Sequence, residues 1–314
     1  MKVLGIFAGR PHRMTEMYCQ TALKGAEEAG CEVEIVNLRQ LDIKPCNGCC
    51  ICHRGGRPDG KLGCVYDDDM LWLDEKIMEC DGMIVAAPMF ECSPPSEMKK
   101  FCDRLGPSHD IMIRKDIDER RAKEGKEGND PRWYKDRPVA FISHGGSEWT
   151  TLGLPTLSII AVPLGMTIVD LVNFQFQGSL LRDNNLDRVK ALGRAVAENC
   201  GKTSEEMVYC GDEALCPCCH NNTFVMTPGT DQIVCAACGL EGTITVEDGK
   251  VIPYFTEEQL KGSHVTLSGK TIHMMDMTGR GKEIMRFQRE HQFELDELMK
   301  KGSSYYETSR PQKK

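Results

Sequence analysis

Residues 3–8 (VLGIFA) form an unbroken apolar run without alternation, the pattern of a parallel strand covered on both faces. The following TEMYCQTALKGAEEAG has helical character, with Thr15 placed to cap it, Glu16 in its first turn and Gly30 as its stop. Residues 31–38 (CEVEIVNL) alternate as a second strand, so the chain opens strand, helix, strand. MLWLDEKIMEC predicts a helix behind Asp67, Asp68 and Asp69, carboxylates whose simplest role is to meet its dipole rather than a metal. Residues 82–87 (GMIVAA), 139–143 (VAFIS) and 167–172 (TIVDLV) read as three further buried strands. Leu186, Val189, Leu192 and Val196 stripe a closing helix that ends near Cys200. Strands alternating with helices in this way predict an α/β, doubly wound, five-stranded parallel sheet over residues 1–203.

Two segments interrupt or follow that pattern. Residues 107–136 are an insertion with eight acidic and eight basic side chains, predicting a mixed-charge solvated helix. Trp133 and Tyr134 give it an apolar end, suited to a lid, a subunit contact or a plain exposed excursion. A linker leads into residues 204–253, where Cys216-x2-Cys219 and Cys235-x2-Cys238 are separated by fifteen residues. That spacing predicts a small zinc ribbon, with a single iron as the other metal it could hold. Cys218 and His220 are adjacent alternatives to Cys219 as ligands. Residues 254–314 are a helical tail with a capping Thr256 and a Met-rich stripe suited to core or subunit contact. Its end, residues 303–314, has the composition of a disordered segment.

Composition narrows the classes. The net charge of -8 argues against a nucleic-acid or anionic-membrane surface, and residues 211–250 carry six acidic groups against one basic, so the ribbon is not a nucleic-acid reader. Residues 154–172, the most apolar region, are broken by Pro155, Pro163, Gly165 and Asp170 and should not span a membrane. Seventeen cysteines in a chain of this size, opening without a visible signal peptide, point to a reducing cytoplasm.

Candidate chemistry falls on the loops. PCNGCCICHRGGRPDGKLGC sets Cys46, Cys49 and Cys52 at x2 spacing with Cys64 as a fourth ligand, which is iron-sulfur spacing; a zinc knot or reduced thiols are the alternatives, and Cys50 is spare. The loop GRPHRM lies where an α/β sheet presents backbone N–H groups to phosphate, with Arg10, His12 and Arg13 adding positive charge, although a solvated basic loop has the same composition. PMFECSPPSEMKKFCDRL leaves the third strand end, and His144, Gly145 and Gly146 leave the fourth, where bare backbone can approach a flat ring.

With these loops and cysteines together, the chain resembles the iron-sulfur flavoproteins of the NADPH-dependent FMN reductase family, which have flavodoxin-like folds. The resemblance covers roughly residues 1–200 and is carried by PCNGCCIC with the later Cys64 and VYDDDM, and by PMFECSPPSEMKKFCDRL. It implies FMN and oligomers. Carried over by position, Gly9, Arg10, Pro11, His12, Arg13, Met14 and Thr15 would hold the FMN phosphate. Pro88, Met89, Phe90, Glu91 and Cys92 would wrap the flavin, and His144, Gly145 and Gly146 would line its other side. Cys46, Cys49, Cys52 and Cys64 would hold a 4Fe-4S cluster. Two departures stand out: Arg10 and His12 occupy positions where the family has Ser-Pro-Arg, and the gap before Cys64 is longer than usual.

The leading expectation is a cytoplasmic FMN oxidoreductase whose cluster relays electrons from ferredoxin or NAD(P)H to a small organic acceptor. Phe90, His144 and Trp149 are its candidate catalytic residues, with His144 either donating a proton or contacting the flavin. The alternatives are a dedicated electron carrier and a zinc-binding scaffold or sensor.

Overall fold

A computed structural model describes residues 1–305 apart from Gly55, Pro58, Gln177, Gly178 and Asp183; residues 306–314, most of the segment expected to be disordered, lie outside the described residues. The α/β part runs β1 (Lys2–Phe7), α1 (Met14–Glu28), β2 (Glu32–Asn37), α2 (Met70–Glu79), β3 (Gly82–Pro88), α3 (Ser96–His109), α4 (Ile111–Lys123), β4 (Pro138–His144), α5 (Gly153–Ser158), α6 (Ala161–Leu164), β5 (Thr167–Phe174) and α7 (Asn185–Asn199). The five strands are all parallel in the order β2-β1-β3-β4-β5, the flavodoxin-like doubly wound arrangement. β1, β3 and β4 are almost wholly buried, as their unbroken apolar runs require.

The sheet is covered closely. Gly25 of α1 and Gly193 of α7 sit where a Cβ would collide with the Lys190 and Ala22 carbonyls of the facing helix, so the two backbones touch directly. After α7 come β6 (Phe224–Met226), β7 (Gln232–Cys235), β8 (Glu241–Glu247) and β9 (Lys250–Tyr254), an antiparallel four-stranded sheet. Three helices follow: α8 (Glu257–Lys261), α9 (Leu267–Glu290) and α10 (Gln292–Ser303). Residues up to Lys270 form one compact unit and those from Thr271 a second. Among the described residues, no helix is long and apolar enough to cross a membrane.

Several expectations shift in detail. α1 begins at Met14 with Arg13 as its N-cap, so Thr15 lies inside the helix and is freed for another contact. The mixed-charge helix of the insertion forms as α4 but is not solvated all round: α3 continues through a kink at Gly106 to His109, and α4 buries Ile113, Arg114 and Ile117. Asp110 caps α4 by accepting from the Met112 and Ile113 amides, which explains the break between the two helices. Leu186 is exposed whereas Val189, Leu192 and Val196 face the sheet. The linker packs on the sheet margin, with Cys210 N donating to Val169 O at 2.8 Å. The long tail helix breaks at His291. The capping box of Thr256 and Gln259 forms as expected.

Gly193→Ala should force α1 from α7 and lower stability by about 1–3 kcal/mol, measured as a reduced urea midpoint with an unchanged m-value.

Candidate functional site

The carboxyl ends of β1, β3 and β4 converge on one rim, where the order of a doubly wound sheet reverses and ligands bind. After β1, Gly9 is buried against Thr15, and its carbonyl accepts from Asn37 Nδ2 at 3.1 Å. Arg10, Pro11, His12 and Arg13 are exposed, and Met14 is half-buried. His12 has a left-handed backbone, and its N–H donates to Glu16 Oε2 at 2.5 Å. That carboxylate is a stand-in anion on a loop amide, so the loop at the start of α1 fits a phosphate group chemically. Thr15 is buried, and its Oγ1 lies 2.8 Å from His144 Nε2 at the end of β4.

Burial alone pushes the His144 pKa down to about 4, so the ring is neutral at physiological pH. Tyr18 stacks on Phe174 at 4.7 Å and tilts against His144 at 5.1 Å, fixing the ring from below. Beyond it Gly145 is buried and Gly146 exposed. A Cβ on Gly145 would collide with Thr150, which bonds Asn173 Nδ2 at 2.8 Å, and Asn173 Oδ1 accepts from Ser143 Oγ at 2.6 Å. Asn37, Ser143, Thr150 and Asn173 were not among the expected site residues. Their only signal is polarity at or beyond a strand's carboxyl end.

After β3, Met89 N donates to His144 O at 2.7 Å, and Phe90 and Ser93 exchange backbone hydrogen bonds across a two-residue turn. Glu91 and Cys92 occupy its centre at φ 48° and 65°. Left-handed backbone costs non-glycine residues about 1–2 kcal/mol each, and such strain collects at ligand sites. The Cys92 thiol donates to Trp149 O at 3.6 Å, joining this turn to the loop after β4. Phe90 and Trp149 remain 59% and 60% exposed on these two linked loops. Pro88 is half-buried, Met89 and Cys92 are buried and Glu91 is exposed.

The two cysteine sets differ. Cys46 and Cys49 are exposed, whereas Cys52 and Cys64 are half-buried. The Cys52 thiol is pushed up, first by burial and then by Cys64, with Cys49 and Cys46 adding to it, so all three lie within electrostatic reach of Cys52. Cys50 turns away with a left-handed backbone, its thiol on Gly48 O. Among the described residues, these four are not gathered into a group tight enough to hold a single ion.

By contrast, the sulfurs of Cys216, Cys219, Cys235 and Cys238 lie within 4.8 Å of one another and are all buried. Their bonded separations of 3.4–3.6 Å approach the edge of a sulfur tetrahedron, about 3.8 Å for metal–sulfur bonds of about 2.3 Å. The alternatives are engaged elsewhere: His220 stacks on Tyr209 at 3.7 Å, and Cys218 faces Leu260 O.

The sequence profile of the NADPH-dependent FMN reductase family matches residues 1–177. The chain belongs to that family. It is therefore a flavin-dependent oxidoreductase, and FMN is the family's cofactor. Flavone synthase cfoJ of Aspergillus candidus is 32% identical over 304 residues, covering 88% of each chain. The iron-sulfur flavoprotein of Methanosarcina thermophila is 35% identical over 106 residues, 33% of this chain and 52% of that one. A solved flavone reductase superposes with a TM-score of 0.83 at 29% identity, covering 99% of this chain and 100% of that chain.

A histidine held neutral in the fold but protonated when unfolded loses stability as pH falls. The His144 contribution is complete above the unfolded value near 6.5 and is lost toward the folded value of about 4. His144→Asn should therefore flatten the stability profile between about pH 6.5 and 4, measured by urea unfolding at each pH.

Proposed function

We propose that this flavoenzyme uses FMN at the β1, β3 and β4 ends to exchange electrons between NAD(P)H or ferredoxin and a planar aromatic acceptor of the flavone class. A 4Fe-4S cluster on Cys46, Cys49, Cys52 and Cys64 relays them, and zinc on Cys216, Cys219, Cys235 and Cys238 is structural. The observation that carries the reading is similarity along nearly the whole chain to proteins named for flavone chemistry. The exposed Phe90 and Trp149 on linked loops agree with it, offering flat apolar surface beside the strand ends.

Bound FMN would supply two-electron chemistry and the cluster one-electron chemistry. Residues 9–15 hold the FMN phosphate through loop amides and the start of α1, with Arg10 and Arg13 supplying charge where hydroxyl donors are missing. Residues 88–92 wrap one side of the ring, and His144, Gly145 and Gly146 line the other. Phe90 and Trp149 sandwich the acceptor and exclude water. His144, neutral and hydrogen-bonded to Thr15, contacts the flavin and orients the loop rather than donating a proton.

Anaerobically purified protein should contain about one FMN, four irons and one zinc per chain, and should convert flavone when supplied with NADH or reduced ferredoxin. Trp149→Ala should raise the flavone KM about tenfold while FMN stays bound, and Phe90→Ala should raise it by at least as much. Slow, unselective reduction of every acceptor offered would instead favour the dedicated electron carrier.

Assembly into homo-oligomers belongs to the same reading. Taken by itself, the tail unit exposes Ile284, Met285, Phe287, Phe293, Leu298 and Met299 along two helices. So many exposed apolar side chains on one small unit favour association with a second copy. Met285→Glu with Phe293→Glu should reduce the mass measured by light scattering toward the monomer, with FMN content unchanged.

A further inference from the structure

The insertion closes, together with residues 60–64 of the cysteine loop and one side of α2, a cavity of about 390 Å³. That volume is adequate for a small ligand. Leu62, Leu71, Met78 and Trp133 give it apolar walls, and Arg114 of α4 lines it. Arg114 is only 6% exposed, and its guanidinium lies over the Trp133 ring at 3.9 Å. A long 3.4 Å hydrogen bond to Asn129 Oδ1 serves one nitrogen, and Nε has no partner.

The neighbouring carboxylates are engaged elsewhere. Asp74 bonds His109 at 2.7 Å, Asp118 bonds Tyr134 and Asn129, and Asp130 bonds Arg132. Among the described residues, no ion pair to Arg114 forms. Arg104, on the same wall, also has an unpartnered Nε, but the terminal nitrogens of the other buried arginines are well supplied. Arg104 grips both oxygens of Asp68 and the Lys44 carbonyl, and Arg137 donates to the carbonyls of Cys80, Lys135, Met78 and Arg132. Burial pushes the Arg114 pKa down to about 10, which still leaves it charged at neutral pH. Asp74, Asp118 and Asp110 stabilise that charge only from a distance; a buried guanidinium with no direct ion pair keeps unused hydrogen-bonding capacity, and its edge matches a carboxylate in shape and hydrogen bonding.

We propose that this cavity binds a small organic carboxylate with an apolar body, its acid group on Arg114 and its hydrocarbon against Met78, Leu71 and Trp133. The wall carries Lys61, Arg104, Arg114 and Arg121 against Asp74, Glu127 and Asp130, a small cationic excess that favours an approaching anion. Cys64 lies on the same wall, and Arg120 Nη2 already reaches His53 O at 3.4 Å. A bound acid therefore braces the cysteine loop against the insertion and acts as an effector of that loop, away from the strand-end site.

The test is calorimetric titration of the full-length protein with benzoate, its neutral isostere benzamide, and inorganic phosphate. Benzoate should saturate, benzamide and phosphate should bind at least about tenfold more weakly, and Arg114→Met should weaken benzoate by about tenfold or more. The flavin absorption spectrum should not move, which separates this site from the flavin face. Met78→Trp fills the cavity with Arg114 intact and should abolish binding, keeping the test decisive if Arg114→Met does not fold. Equal affinity for benzoate and benzamide, a preference for phosphate, benzoate binding that survives either folded variant, or no saturable binding would each overturn the proposal.

Discussion

The hydrogen bond between Thr15 Oγ1 and His144 Nε2, 2.8 Å long, joins the first turn of α1 to the end of β4 across 129 residues of sequence. A parallel sheet covered on both faces has no room for polar chemistry except at its strand ends. There the loops must be held by something other than the ladder. Thr15 and His144 do this from the buried side, with Tyr18 and Phe174 stacked beneath. A neutral imidazole can either donate to the hydroxyl or accept from it, whereas an imidazolium can only donate. Burial keeps the ring neutral, so the bond survives whichever way the Thr15 hydroxyl turns to meet a ligand.

From that anchor the rest of the rim follows. Met89 N binds the His144 carbonyl, Gly145 N binds the Phe174 carbonyl, and the strained turn at Glu91 and Cys92 is tied to Trp149. Phe90 and Trp149 are consequently presented outward on backbones that are themselves fixed. Aromatic side chains held this way lose little further entropy when they close on a flat ligand. The strain at the turn is balanced by the hydrogen bonds around it.

Much of this was legible in the sequence. Buried parallel strands announce themselves as unbroken apolar runs, so β1, β3 and β4 were found along with the loops leaving them. Thr15 has the chemistry of a helix cap, yet its hydroxyl forms a tertiary bond to His144 that no local pattern encodes, and the helix starts one residue earlier. Arg114 was hidden for the opposite reason. In a charge-balanced insertion it reads as one more solvated cation, and only the packing of Trp133 and Ile117 reveals it as buried. Asn37, Thr150 and Asn173 act through partners distant in sequence, where spacing carries no information.

The two cysteine sets show how burial decides what a metal site contributes. Cys216, Cys219, Cys235 and Cys238 belong to the same hydrophobic cluster as Leu157 and Ile160, and Asn221 bonds both Ser158 Oγ and the Cys219 carbonyl. Their sulfurs are preformed, so a metal held there would give its binding energy to folding of the whole first unit rather than to residues 216–238 alone. The loop from Cys46 to Cys64 is anchored most firmly at its ends, where Asp68 receives the Lys44 amide and both arms of Arg104 and Asp69 receives the Asp42 amide, with one long contact from Arg120 to His53 O between them. Between those anchors lie several glycines and exposed charges with little apolar burial. Closing such a loop costs entropy that grows only slowly with its length, so the extra residues before Cys64 are tolerable. Part of any cluster's binding energy must then go into ordering the loop, leaving this site more responsive than the ribbon to whatever braces it.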